Sequence, residues 1–454
     1  MTEKESETKK KNQQKDPYVS FEALQNMHLK DIYNYAKKYK IPYYSKMNKK
    51  ELIMAVMRQQ ENAQGYVSVE GVLDITGSEF GFLRPINYSP SQEDIYISTS
   101  QMRRFGLRNG DLISGTARQP KSNERYLGLM HVYKVNGKDP EEATERDHFP
   151  ALTPIYPDEQ IQLEYTPNDI ATRLIDLMVP VGFGQRGLIA APPKAGKTML
   201  IKAIANGIAH NYPEAELIIL LIDERPEEVT DLERNVKAEV VSSTFDQRPE
   251  NHVRVSELVL ERARRLVEDK RDVIILMDSI TRLTRAYNLV EPPSGRTLSG
   301  GLDPSAFYGP KRFFGSARNI EDGGSLTILA TALIDTGSRM DDMIYEEFKG
   351  TGNMELILSR ELSERRIFPA VDIKRSSTRR DDLLLNEETE RVMWELRKAM
   401  TDDTTANTQQ LLQELRRVKT NDKLVEHVTT FLDNAKRQKA NNEKMPQPPE
   451  TPEN

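Results

Sequence analysis

Eight consecutive residues, Ala191-Pro192-Pro193-Lys194-Ala195-Gly196-Lys197-Thr198, carry the parts needed to hold a polyphosphate. Such a ligand wants converging backbone N–H groups, a helix N-terminus beneath it, one long cation and a hydroxyl for Mg2+. The short apolar run Gly187-Leu188-Ile189-Ala190 precedes the segment and the helix-like run Met199–Ile204 follows it. Strand, loop and helix are therefore expected in that order. Lys197 is expected to reach the β- and γ-phosphates of ATP, Thr198 to ligate the metal, and Lys194 to add positive charge. Position 191 is alanine where the strict consensus has glycine.

Two carboxylates extend this chemistry. Asp278 ends the apolar run Val273–Met277, where a parallel-sheet nucleotidase places the acid that holds Mg2+ through water. An ordinary helix cap is the plain alternative. Glu224 follows Leu217–Ile222, and a carboxylate at a strand's carboxyl end lies where such sheets bind ligands. It could orient and deprotonate an attacking water, or simply pair with Arg225 on the surface. Phosphoryl transfer also develops charge that a neighbour's arginine can stabilise. Arg366 and Arg379 are candidates, although by spacing alone both read more readily as solvated surface residues.

A second chemistry lies upstream. Phe80-Gly81-Phe82-Leu83-Arg84 sets two aromatic rings on one face of a strand, with Arg84 available to a phosphate. Asp94-Ile95-Tyr96 and Glu124-Arg125-Tyr126 add two more rings, and carboxylates suited to exocyclic amines. Stacked bases on such a platform would give single-strand binding; packing into a barrel core is the competing reading. Between Gln101 and Tyr126 six basic residues (Arg103, Arg104, Arg108, Arg118, Lys121, Arg125) face two acids, a local net of +4. The chain as a whole carries −6, so nucleic acid must be met by a local patch and not by a global field. One barrel stacking two or three bases would bind weakly; several barrels on one assembly would bind tightly through effective concentration.

The elements that must position these groups follow from periodicity. Residues 1–17 are polar and read as a disordered tail, and 18–62 as a helical module. Within it Leu29, Ile32, Tyr35 and Ala36 recur at helix spacing, and Asn48 to Glu51 have capping-box types. Alternating runs across 63–138, separated by Gly, Asn, Asp and Pro, suggest a small closed barrel. The Pro-bearing, acidic stretch 139–168 reads as a linker. From 169 to 436 continuous apolar strands (Leu217–Ile222, Val273–Met277, Leu326–Leu329) alternate with amphipathic helices, the pattern of a parallel α/β sheet covered on both faces. Residues 437–454 read as a loose tail. The 454 residues contain no cysteine, which excludes disulfides and thiol chemistry and fits the cytoplasm. No secretory signal or membrane-length apolar run is visible.

Taken together, Phe80–Arg84, Asp94–Tyr96, Glu124–Tyr126, Ala191–Thr198, Asp223–Val229, Asp278–Arg282 and Lys349–Glu355 resemble the transcription termination factor Rho family, over about Ser20 to Val425. The resemblance implies a RecA-like P-loop ATPase domain behind an OB-fold, cold-shock-like barrel, assembled as a homohexameric ring. It implies loading on pyrimidine-rich single-stranded RNA, ATP hydrolysis with Mg2+, 5′ to 3′ translocation, unwinding of RNA–DNA hybrids and action on the RNA polymerase elongation complex with its elongation factors. Residue by residue, Gly182-Phe183-Gly184-Gln185-Arg186-Gly187, Lys194, Ala195, Gly196, Lys197, Thr198, Met199 and Arg225 would contact nucleotide. Phe368 would pack near the adenine, Glu224 would be the catalytic carboxylate, and Arg366 and Arg379 would act across the subunit interface. The loops Pro293–Arg296 and Thr336–Arg339 would grip RNA in the central channel. Arg296 and Arg339 stand where the family commonly has lysine, which keeps charge and changes hydrogen-bond geometry. Other readings of the residues are a DNA-acting recombinase, a rotary ATPase subunit and a non-catalytic RNA-binding module. The barrel aromatics ahead of the P-loop disfavour the rotary subunit, intact Lys197, Thr198, Asp278 and Glu224 the non-catalytic module, and RNA against single-stranded DNA as activator separates the recombinase.

Overall fold

The computed structural model describes residues 19, 23–24, 27–47, 49–64, 66–77, 80–85 and 87–443. The expected tail over 1–17 and Asn48 of the expected capping box lie outside them. The chain divides into two compact units, 1–86 with 90–145, and 87–89 with 146–454.

The first unit opens with helices α1 (Leu29–Lys38) and α2 (Lys49–Gln64). Ile32 and Ala36 of α1 lie one turn apart and bury against Leu52, Ile53, Val56 and Met57 of α2. Five strands follow: β1 (Tyr66–Thr76), β2 (Phe80–Arg84), β3 (Ile95–Ser98), β4 (Leu112–Arg118) and β5 (Leu127–Val135). They close as a barrel in the order β1-β2-β3-β5-β4, which removes free edges. Helix α3 (Thr99–Arg104) sits between β3 and β4, started by a capping box from Ser98 and Gln101. Leu73, Leu83, Ile95, Ile97, Ile113 and Leu129 fill the barrel. Gly81 points inward, where a side chain would begin 2.9 Å from Leu73 Cδ1 and would press on the barrel core, and the flanking Phe80 and Phe82 face outward.

The second unit is the expected α/β sheet. Its strands are β6 (Pro154–Ile155), β7 (Arg186–Ala191), β8 (Glu216–Glu224), β9 (Glu239–Thr244), β10 (Asp272–Asp278), β11 (Arg318–Ile320), β12 (Ser325–Leu333), β13 (Met354–Ile357) and β14 (Ser377–Thr378). The order is β14-β13-β7-β12-β10-β8-β9, parallel from β13 to β9, with β14 antiparallel at one edge. The central strands β8, β10 and β12 are buried almost throughout, which is why they read as unbroken apolar runs. The helices that matter for the site are α4 (Ile170–Met178), α5 (Lys197–Asn211), α6 (Pro226–Asn235), α7 (Pro249–Glu268), α8 (Ile280–Val290), α9 (Tyr308–Phe314), α10 (Arg339–Lys349) and α11 (Arg360–Glu364), followed by α12 (Glu387–Ala399), α13 (Thr404–Arg417) and α14 (Asn421–Glu443). Among the described residues no helix is long and apolar enough to cross a membrane.

Two expectations are corrected. The stretch 139–168 is not a free linker: Ala143 belongs to the barrel core, and Phe149, Ile161 and Leu163 are buried in the second unit. Its anchors are single residues spaced too widely to show a period. The expected loose tail begins too early, because α14 continues to Glu443; the run Asn434–Glu443 is polar but rich in Ala, Lys, Arg and Gln, all good helix formers. Residues 444–454 lie outside the described set.

Candidate functional site

β7 runs into the turn Pro192–Gly196, and α5 begins at Lys197. Gly196 has φ 88° and Lys194 φ 65°, a left-handed conformation that costs a non-glycine residue about 1–2 kcal/mol. Asp223 and Arg366 share it, with φ 58° and 59°. Strain of this kind tends to collect where a ligand is handled.

Lys197 Nζ donates to Asp278 Oδ1 at 2.5 Å and to Glu224 Oε1 at 3.0 Å. Both carboxylates sit at the carboxyl ends of neighbouring strands, β10 and β8, and both are almost wholly buried. Asp278 Oδ1 also accepts from Thr331 Oγ1 at 2.8 Å. Glu224 Oε1 pairs with Arg282 Nη1 at 3.0 Å, and Arg282 donates as well to the Asp223 carbonyl. Ser279 caps α8 by accepting from Arg282 N, so the end of β10 and the first turn of α8 aim Arg282 at Glu224. With Asp223, whose carboxylate lies 3.9 Å from Arg282 Nε, two cations and three anions form one connected set. Burial alone would lower the Lys197 ammonium, but Asp278 and Glu224 outweigh it and hold its pKa above the ordinary value.

The rest of the expected pocket divides. Phe368 lies against the loop: a side chain on Gly196 would begin 3.4 Å from its ring. Met199 and Arg225 are exposed beside it, on α5 and at the N-cap of α6. Ala195 is buried beneath the loop. Thr198 Oγ1 donates to Glu228 Oε2 at 3.1 Å. Among the described residues no three His, Cys, Asp or Glu side chains converge to hold a metal alone. Oxygen donors suited to a hard cation are present in Thr198, Asp278 and Glu224, so Mg2+ fits here only together with phosphate oxygens.

The loop Gly182–Gly187 leads into β7, Arg186 and Gly187 being its first two residues, and the P-loop follows the other end of that strand. Its residues are braced structurally. Gln185 Oε1 accepts from Gly182 N, Gln185 Nε2 donates to Asn353 Oδ1 at 2.7 Å, and Arg186 donates to the carbonyls of Thr351 and Ala317. Phe183 is buried in the core. A side chain at Gly184 would begin 2.1 Å from Asn319 N, and one at Gly187 would meet Leu329 and Met354. Arg379 stands at this same end of the sheet, its N–H donating to the Asn353 carbonyl, and its charge lowers the Arg186 pKa after burial and Arg318 have done so. Arg366 is exposed two residues before Phe368, near this chain's own P-loop. The two arginines, expected to act alike, occupy opposite ends of the strands.

On the barrel, four rings form one patch. Phe82 lies 5.8 Å from Phe80, 6.3 Å from Tyr96 and 5.0 Å from Tyr126 between ring centres. Phe80 and Tyr96 are 40% and 41% exposed, and Arg125 covers the Tyr126 ring at 5.5 Å. Leu83 and Ile95 are barrel core. Arg84 is held within the barrel unit. It is 5% exposed, pairs with Asp74 at 2.8 Å and with Asp94, and lies over the Phe82 ring. Asp94, also buried, accepts from Ser91 as well. Glu124 is exposed, holds Arg118 through two hydrogen bonds of 2.6 and 2.8 Å, and has its pKa pulled down to about 2 by that arginine and the Lys121 N–H.

Arg296, on a loop, and Arg339, the first residue of α10, are exposed, and the segment after Arg296 meets the start of α10: a side chain on Gly300 would begin 2.6 Å from Met340 N. Behind them Asp341, fully buried, accepts two hydrogen bonds from Arg285 Nη2 at 2.6 and 2.8 Å and one from Thr336 Oγ1 at 2.6 Å. Arg282, Arg285, Glu228, Thr331 and Asp341 are the participants that sequence reasoning assigned no role. Arg282 and Glu228 lie inside the quoted strings Asp278–Arg282 and Asp223–Val229, the one signal the sequence gave for any of them.

The fold and site thus define a RecA-like nucleotide-binding domain joined to an oligonucleotide-binding barrel. Similarity agrees along the chain. Residues 23–65 match the N-terminal domain of Rho termination factor, 69–141 its RNA-binding domain, and 171–378 the nucleotide-binding domain of the ATP synthase alpha/beta family. Transcription termination factor Rho of Bacillus subtilis (strain 168) is 67% identical over 404 residues, 89% of this chain and 94% of that one. The Rho of Thermotoga maritima is 54% identical over 85% of this chain and 91% of its own. An ATPase of the type III secretion system of pathogenic bacteria shares the fold, with TM-score 0.51 and 22% identity over 69% of this chain and 93% of that one. The chain belongs to the transcription termination factor Rho family.

Proposed function

We propose that this chain is an ATP-driven RNA translocase that ends transcription. It works as a homohexameric ring, loads on pyrimidine-rich single-stranded RNA through Phe80, Phe82, Tyr96 and Tyr126, and moves 5′ to 3′ toward the RNA polymerase elongation complex, opening RNA–DNA hybrid on the way. Lys197 leaves its two carboxylates for the β- and γ-phosphates of ATP. Glu224, released from Lys197, takes the proton of the attacking water, and Arg225, Met199 and Phe368 line the nucleotide. Thr198, and Asp278 through water, would hold Mg2+, which would supply charge neutralisation for the phosphates. Arg366 acts on the nucleotide of its own subunit. Arg379, at the far end of the strands, can reach a phosphate only on a neighbouring subunit.

The observation that carries this reading is helix α8. Arg282 and Arg285 lie three residues apart on one face; the first holds Glu224, and the second holds Asp341 and through it Thr336 of the Arg339 loop. RNA gripped by Arg296 and Arg339 therefore bears on the helix that restrains the carboxylate. ATPase rate with oligocytidylate, single-stranded DNA and duplex DNA at fixed salt, together with particle mass, tests it. Low basal turnover and strong stimulation by oligocytidylate are expected from a hexamer. Equal stimulation by duplex DNA, or none by RNA, refutes it.

A further inference from the structure

We propose that Glu228 is the positioning residue that turns the Thr198 hydroxyl into a metal ligand. The inference rests on reading Thr198 as the cation's ligand and adds the group that makes it one. A hydroxyl has one proton and two lone pairs. To offer a lone pair to a cation it must send its proton elsewhere, and an anionic acceptor holds that proton most firmly. The two nearest acids of the pocket are committed: Asp278 to Lys197 and Thr331, Glu224 to Lys197 and Arg282. Among the described residues the acceptor for Thr198 Oγ1 is Glu228 Oε2, at 3.1 Å.

The position of Glu228 is built in. It lies in the first turn of α6, which starts at Pro226 after the Arg225 N-cap. Lys202, one turn beyond Thr198 on α5, pairs with Asp231, about one turn beyond Glu228 on α6, at 3.1 Å. The two helices are thus tied at two successive levels, and the inner tie falls on the metal-binding hydroxyl. Glu228 touches neither phosphate nor cation in this scheme; it acts through Thr198.

The test is nucleotide binding and not turnover. A fluorescent ATP analogue is titrated onto the full-length protein in EDTA and across a Mg2+ series, for wild type, Glu228→Ala, Glu228→Gln and Thr198→Ala. Glu228→Ala is expected to raise the Mg2+ concentration for half-maximal tightening by about 10- to 100-fold, the usual cost of losing a partner of a metal ligand. Affinity in EDTA should stay within about twofold, since the phosphate contacts of Lys197 and the loop remain; this also shows that the variant is folded. Glu228→Gln, whose carbonyl oxygen still accepts from Thr198, should keep most of the Mg2+ response. An unchanged response in Glu228→Ala, or equal damage from Gln and Ala, overturns the proposal. If Thr198→Ala itself leaves the response unchanged, the reading of Thr198 fails first and takes this one with it, a result distinct from failure at Glu228 alone.

Discussion

The barrel's aromatic patch and the mouth of the parallel sheet are prepared for their ligands in opposite ways. On the barrel Arg84 is paired with Asp74 and Asp94, and Arg118 with Glu124, while Phe80 and Tyr96 stand open. At the sheet the reverse holds. Three groups that would meet phosphate or water already have internal partners: Lys197 two carboxylates, Glu224 two cations, Thr198 Glu228. An open stacking face binds with little rearrangement. A closed ion network binds only by exchanging partners, so its affinity depends on whatever moves those partners. The first arrangement suits capture and the second suits a switch.

The difference can be broken most forcefully at Lys197. Lys197→Ala is expected to lower turnover at saturating RNA by at least about 10²- to 10³-fold, the scale of losing one charged stabiliser of a transition state. RNA affinity, measured by filter binding without nucleotide, should not change. A parallel loss of RNA affinity would mean the two regions are not separately prepared. Arg84→Ala probes the other side. Removing one member of a buried ion set leaves the others uncompensated, at a cost of about 3–5 kcal/mol. Here Asp74 and Asp94 would be stranded together, and urea unfolding followed by a barrel signal should show it. If Arg84 met phosphate instead, the variant would keep its stability, and the salt dependence of RNA binding would shallow by about 0.7 in slope.

How much of this was legible depends on sequence distance. The P-loop, the apolar strands and the Phe80–Phe82 pair are contiguous strings whose period or composition declares them, and the fold they imply is the one observed. Glu228 meets Thr198 from 30 residues away, and Thr331 meets Asp278 from 53. No local pattern encodes such contacts; the strand order does. Arg84 alternates with Phe80 and Phe82, but its two carboxylate partners come from β1 and from the loop before β3, which the string itself does not show. The Gly182–Gly187 assignment came from resemblance alone.

The finest test of the contrast is Phe82→Ala. Phe82 is the hub of the patch, in contact with Phe80, Tyr96 and Tyr126, yet it lies outside the barrel core that Leu73, Leu83 and Ile97 fill. Loss of one stacked base costs about 1–3 kcal/mol, or roughly 5- to 150-fold in RNA affinity at fixed salt. Tyr96 pairs with Phe82 across β2 and β3, and its own exposed ring remains, so the lower part of that range is expected. Because stacking is not ionic, the salt slope should stay at its wild-type value while the affinity drops. Nucleotide affinity without RNA should hold within about twofold, as the sheet's ion network contains no part of this ring. A change in slope would mean that the ring had been ordering Arg125 over Tyr126 for a phosphate, making the barrel a charged reader after all and dissolving the contrast with the sheet.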